Sequence, residues 1–160
     1  MPNANPSPKV SIIMSTYNRA AYIIETVDSI RNQTYPNWEL IIVDDGSDDN
    51  TDEIIGRIND ERIQFYKAGR IGIGGKVKNI GLGKVRGELI AFIDSDDLWA
   101  ATKLEKQVAV LQQYPDAGFS ITSGYNFKKQ EEPLEYFYKQ KSGLSVKTEN
   151  SQCPKYIFSL

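Results

Sequence analysis

The sequence predicts a doubly wound α/β domain with a mostly parallel sheet. Three observations lead there. Short apolar runs alternate with amphipathic stretches of helical period from residue 9 to about residue 126. The runs are apolar at consecutive positions, as expected of strands covered on both faces. Polar residues also gather where the strands end, at Ser15-Thr16-Tyr17-Asn18, Asp44-Asp45 and Asp94-Ser95-Asp96-Asp97. That is the edge at which open α/β sheets bind their ligands.

Residues 10–14 form the first apolar run, behind a proline-rich lead. Asn18 is a candidate cap for the next helix, in which Ile23, Val27 and Ile30 recur on one face. That helix must end before Tyr35-Pro36, because a residue preceding proline avoids helical geometry. Residues 38–43 read as a second, fully covered strand, followed by the turn Asp44-Asp45-Gly46-Ser47. Asn50 or Thr51 is expected to cap a helix with Ile54, Ile55 and Ile58 inside. Residues 63–66 read as a third strand. A glycine cluster (Gly69, Gly72, Gly74, Gly75) precedes a helix expected over 76–85, which Gly87 should close. Residues 88–93 form the fourth strand. Leu104, Val108 and Leu111 mark a helix ending at Tyr114-Pro115, and residues 117–122 suit a fifth strand.

The organisation expected is a frayed tail over 1–8, a ligand-binding domain over 9–126 and an irregular segment over 127–160. Residues 128–141 are charged around Tyr136-Phe137-Tyr138, and no element is expected in the last 25 or so residues.

The chain has 160 residues, one cysteine, no histidine and a formal net charge of −2. One cysteine excludes an internal disulfide and, with no histidine, a Cys/His zinc site. Catalytic sets built on histidine are excluded too. The charge argues against a nucleic-acid-coating surface. Any metal would sit among oxygens, which suits Mg2+ or Mn2+. No run approaches the ~18 apolar residues of a membrane span, and residues 1–8 do not resemble a signal peptide. A cytoplasmic setting is expected, with peripheral association at the inner face of the membrane compatible with it.

Each polar strand end has a plain reading and a functional one. Asp94-Ser95-Asp96-Asp97 could be the solvated cap of a helix, or its i, i+2 aspartates could turn toward one hard cation. Asp44-Asp45-Gly46-Ser47 could be an ordinary turn. Tyr17 could pack at a strand exit or serve as a platform for a base. The glycine cluster fails the phosphate-loop pattern, which would need glycine where Arg70 stands and Ser or Thr where Val77 stands, and it fails the dinucleotide fingerprint at Val77 as well. Lys76 and Lys78 beside it read first as solvated side chains. A phosphohydrolase using Asp-x-Asp is disfavoured, because such a motif belongs on the first strand.

Together and in order, the segments are more specific. The stretches 10–19, 29–35 and 38–47, then 74–81 and 87–97, resemble family 2 glycosyltransferases over residues 9 to about 123. The resemblance implies the GT-A, nucleotide-diphospho-sugar transferase fold. It also implies a nucleotide-diphosphate sugar donor, UDP-linked by expectation, and an inverting transfer to a hydroxyl of a glycan, lipid-linked or protein acceptor. By that analogy Ser15, Thr16 and Tyr17 line the nucleotide and Asp45 meets the base edge. Lys78 stands where the family usually has arginine, Asp94 holds the ribose or metal side, and Ser95 is among the nucleotide-sugar-binding residues. Asp96 holds the metal, with Asp97 as a second or alternative ligand. Lysine can still meet a phosphate at position 78 but loses the bidentate fork. The family's general base lies well downstream. None of the downstream carboxylates Asp116, Glu131, Glu132, Glu135 and Glu149 has a family-like context. The expectation is therefore a donor-binding part with most of the acceptor half missing. The competing reading is a nucleotide-sugar-binding module without turnover.

Overall fold

The structure is a computed structural model, and it describes residues 7–122, 125–126, 135–136 and 155–159. Its centre is β1 (Val10–Thr16), which lies parallel to β2 (Trp38–Asp44) on one side and to β4 (Leu89–Asp94) on the other. β3 (Ile63–Lys67) extends the sheet beyond β2. Beyond β4 come β8 (Lys155–Ser159) and β5 (Phe119–Thr122), giving the order β3-β2-β1-β4-β8-β5 with every pairing parallel. A two-residue antiparallel ladder joins β6 (Tyr125–Asn126) to β7 (Glu135–Tyr136).

Both faces of the sheet are covered, as the continuous apolar runs require. On one face Val10, Ile12, Met14, Leu40, Ile42, Ala91 and Ile93 pack with α1 (Ile23–Arg31) and α4 (Lys103–Gln113). α2 (Thr51–Gly56) adds Ile55 to the same core. On the other face Ile41 and Val43 meet Val77 of α3 (Gly74–Leu82). Successive strand residues point to opposite faces, so Ile41 and Ile42 of one strand serve different cores. α3 lies close to the sheet at Gly81, where a Cβ would stand 2.7 Å from Cγ2 of Ile13.

The helix faces read from the sequence are borne out: Ile23, Val27, Ile30, Leu104, Val108 and Leu111 are all buried. Several details differ. Asn18 does not cap α1. Its φ is +50°, its side chain is tied to Asp48, and the helix begins five residues later, at Ile23 behind Tyr22. Asn50 takes the cap position of α2 without a side-chain cap bond. α3 starts at Gly74 and ends at Leu82, earlier than the period suggested. Gly87 does not stop that helix. It lets the chain pass β1, where a Cβ would meet the Lys9 carbonyl at 2.5 Å. The segment expected to be irregular supplies β8, between β4 and β5. The Tyr136-Phe137-Tyr138 cluster and Cys153 lie largely or wholly outside the described residues.

The end of the sheet opposite the acidic edge is closed by a buried carboxylate. Glu39 accepts hydrogen bonds from Ser11 Oγ at 2.6 Å, Lys9 Nζ at 2.8 Å and the Arg86 amide at 2.8 Å. Burial pushes its carboxyl upward, but Lys9, Ser11 and Arg86 together outweigh that and hold it below its ordinary value of 4.5. A depressed folded value stabilises the fold above the unfolded value, and that contribution is lost as pH falls through the folded one. We therefore expect Glu39→Gln to cost about 1–3 kcal/mol at pH 7. Urea titrations should show the wild type losing stability below about pH 4.5 more steeply than the variant. Parallel pH profiles for the two would refute this role.

Candidate functional site: an acidic cleft at the sheet's switch point

Strand order reverses at β1, since β2 leaves to one side and β4 lies on the other. Parallel register brings Thr16 beside Asp44 and Ser15 beside Asp94 at the carboxyl end. A cleft of about 350 Å3 opens there. Ser15, Thr16 and Tyr17 enter it from β1, Asp45 from the turn after β2, and Asp94, Ser95 and Asp96 from the end of β4. Arg19, Gly74 and Val77 complete its wall. Seven of the expected site residues thus share one cavity. Lys78 joins through its ammonium, 2.8 Å from Asp94 Oδ1. Asp97 is not part of the wall.

The two aspartates after β2 have different work. Asp44 is spent on the turn: it accepts from the Ser47 amide at 3.0 Å and from the Ser47 hydroxyl. Ser47 Oγ in turn accepts from the Asn18 amide at 2.9 Å. Arg19 and Ala20 amides donate to Thr51 Oγ1 and Asp49, both at 3.0 Å. These bonds lace the loop after β1 to the loop after β2 and fix where Tyr17 emerges.

Asp45 faces the cleft and is nearly buried. Its carboxylate accepts from the Ile71 amide at 2.6 Å and the Gly72 amide at 3.0 and 3.1 Å, and pairs with the Arg70 guanidinium. Burial raises its proton affinity, but the two amides and Arg70 more than offset that, so it stays below the usual carboxylate range. Gly46 permits this approach. Its φ is +75°, and a Cβ there would lie 2.8 Å from the Arg70 nitrogen. The same guanidinium lies over the Tyr17 ring, with Cζ 3.8 Å from the centroid.

The β4 end is more exposed. Asp96 Oδ2 meets Arg19 Nε at 3.2 Å, and Asp94 meets Lys78. Asp97 is pushed above its ordinary value by desolvation first, then by the charges of Asp94 and Asp96, with Lys78 opposing. Ser95 is buried, and its carbonyl accepts from Thr26 Oγ1 at 3.1 Å, anchoring the acidic turn on α1. Thr16 Oγ1 is buried in the cleft wall and finds no hydrogen-bond partner among the described residues. Such an atom is expected to find one in a ligand or a water.

A metal was expected on Asp96 and Asp97. Among the described residues, no three Asp, Glu, Cys or His side chains converge as a metal-holding group. The oxygen-only donors still suit a hard cation of the kind that takes one or two carboxylates and fills its other positions with phosphate oxygens and water. Among the described residues no helix is long and apolar enough to cross a membrane.

Arg19 and Arg70 were not singled out as site residues from the sequence. Arg19 sits inside the segment that carries the resemblance, one residue past Asn18. Arg70 offered no signal beyond standing between two turn glycines, Gly69 and Gly72, both with positive φ.

The comparisons with known proteins agree with the fold. TuaG of Bacillus subtilis (strain 168), a glycosyltransferase named for teichuronic acid biosynthesis, is 40% identical over 136 residues, covering 83% of this chain and 53% of TuaG. S. aureus TarS 1-349 in complex with UDP-GlcNAc superposes with a TM-score of 0.70 at 29% identity, covering 78% of this chain and 37% of that one. The mannosyltransferase PcManGT from Pyrobaculum calidifontis, in complex with GDP-Man and Mn2+, gives 0.66 at 31% identity, covering 73% and 36%. The chain spans about half the length, or less, of the curated relatives it matches. The fold is that of the GT-A glycosyltransferases. The profile of Glycosyl transferase family 2 matches residues 11–156, and with the acidic cleft at the β1/β4 switch point it shows that the chain belongs to glycosyltransferase family 2.

Proposed function

We propose that this chain is the donor-binding part of an inverting glycosyltransferase that takes a sugar from a UDP-linked donor and passes it to an acceptor hydroxyl. The observation that carries the reading is the cleft itself, with an aromatic ring and a carboxylate (Tyr17, Asp45) at one end and an acidic turn (Asp94, Asp96) at the other. In this reading Tyr17 stacks on the base and Asp45 accepts its ring N–H. Ser15 and Thr16 line the nucleotide, and Asp94 and Ser95 hold the ribose side. The complex of TarS with UDP-GlcNAc supports a uridine donor.

The departing group is a nucleoside diphosphate, whose negative charge must be offset as the bond to the anomeric carbon breaks. Lys78 and Arg19 flank the cleft as partly exposed cations and can transfer from Asp94 and Asp96 to phosphate oxygens. Mg2+ or Mn2+ held by Asp96, with Asp97 as second ligand, would supply further neutralisation as a Lewis acid. The proton of the acceptor hydroxyl needs a general base, for which no residue is assigned. We place the protein in the cytoplasm, at the inner face of the membrane if its acceptor is lipid-linked.

A second reading, binding without turnover, is favoured by one observation: the carboxylates lining the cleft, Asp45, Asp94 and Asp96, all belong to the donor side. An assay for release of UDP from UDP-sugars separates the two. Slow donor hydrolysis or transfer is expected of the enzyme, and binding with neither would favour the module.

Calorimetry with UDP and GDP, with and without Mn2+, is expected to show UDP binding that Mn2+ strengthens. No binding of either nucleotide under any condition would defeat the donor-site proposal. Asp96→Ala should weaken UDP binding in Mn2+ by about tenfold or more, the weight of one lost contact to a charged group at ~1.5–3 kcal/mol. Uridine binding should be unchanged. Equal losses for UDP and uridine would remove Asp96 from the diphosphate end.

A further inference from the structure

We infer that Arg70 is a resident occupant of the base-binding corner, a guanidinium that makes the base's contacts itself and that a nucleotide must displace. The inference rests on the donor-site reading given above and adds a specificity-determining residue to it. In that reading the base makes two contacts: it stacks on Tyr17 and donates an N–H to Asp45. Arg70 makes both. Its Cζ lies 3.8 Å from the Tyr17 ring centroid, and its Nη1 pairs with Asp45 Oδ2. A guanidinium is planar and carries N–H donors along its edge, so it matches a base in shape and in hydrogen bonding.

Asp45 already holds three donors. A carboxylate offers about four lone-pair sites. The Ile71 amide takes Oδ1, the Gly72 amide reaches both oxygens, and Arg70 takes Oδ2. The two amides are fixed by the backbone: Gly69 and Gly72 turn the loop at φ near +70°, and Gly46 lets it lie against the β2 turn. Among the described residues Arg70 is the one partner held by a movable side chain, and that side chain is 53% exposed where the Asp45 side chain is 9% exposed. It can leave into solvent while the amides stay. An incoming ligand must replace what departs, so it must present both a flat face and an N–H. A diphosphate or a sugar alone does neither.

The consequence is a competition. If the occupied corner outnumbers the open one by about ten to one, the apparent affinity for a base is reduced about tenfold, and removing the occupant restores it. The test uses the full 160-residue chain as wild type, Arg70→Met and Arg70→Lys, titrated with uridine, UDP and inorganic pyrophosphate. Uridine carries no phosphate, so the lost positive charge does not confuse the result. Arg70→Met is expected to bind uridine about tenfold more tightly, with Arg70→Lys in between and pyrophosphate gaining nothing. Uridine bound equally or more weakly by Arg70→Met would overturn the inference and make Arg70 a bystander or a clamp on the base. If neither wild type nor variant binds uridine or UDP, with or without Mn2+, the donor-site reading itself fails. If Arg70→Met does not fold, the wild type decides. Its Arg70 Nε–H resonance, shifted by the Tyr17 ring current in the free chain, should move to the position of a solvated arginine as uridine saturates. A resonance that stays in place would overturn the inference.

Discussion

Three carboxylates are held at one edge of a parallel sheet, and their mutual repulsion is the constraint around which the site is arranged. The parallel register of β1 between β2 and β4 brings Asp45, Asp94 and Asp96 around one cleft. Each is answered by a basic side chain from a different segment: Arg70 from the loop after β3, Lys78 from α3 and Arg19 from the loop after β1. These pairs are partly exposed, so each adds little to stability on its own. Their larger effect is to keep the acidic edge neutralised while leaving every cation able to turn toward a ligand.

The same chemistry at the other end of the sheet has the opposite character. Glu39 is buried, and its partners Ser11, Lys9 and the Arg86 amide tie three strand beginnings together. Removing a partner from a buried carboxylate leaves an unsatisfied charge, whereas the exposed carboxylates of Asp94 and Asp96 can exchange a partner for water.

The sequence made the central part of this architecture readable because the signals there are local. The runs at 10–14, 38–43 and 88–93 needed only their own apolar residues to be read as strands, and the polar groups after them had a position as soon as the sheet was parallel. Asn18 misled because Asn is equally suited to a helix cap and to the left-handed region, and tertiary bonds to the Asp48 segment decided for the second. The residues at 155–159 carry a short apolar core, Tyr156-Ile157-Phe158, but their strand exists only through pairing with β4 and β5, which no local pattern reports. Arg70 was hidden for a similar reason. Its meaning comes from the Gly46 turn and the Tyr17 ring, more than twenty and fifty positions away.

The place of β8 also bears on how the chain is made. Among the described strands β5 joins the sheet only through β8, and β8 is synthesised after the other five strands of that sheet. A nascent chain that has completed β1 to β5 and packed α4 still has the backbone of β4 bare along one side. Unpaired strand edges of this kind invite pairing with other chains. Between emergence of β5 and emergence of residues 155–159, the half-built sheet therefore presents an edge open to the wrong partner.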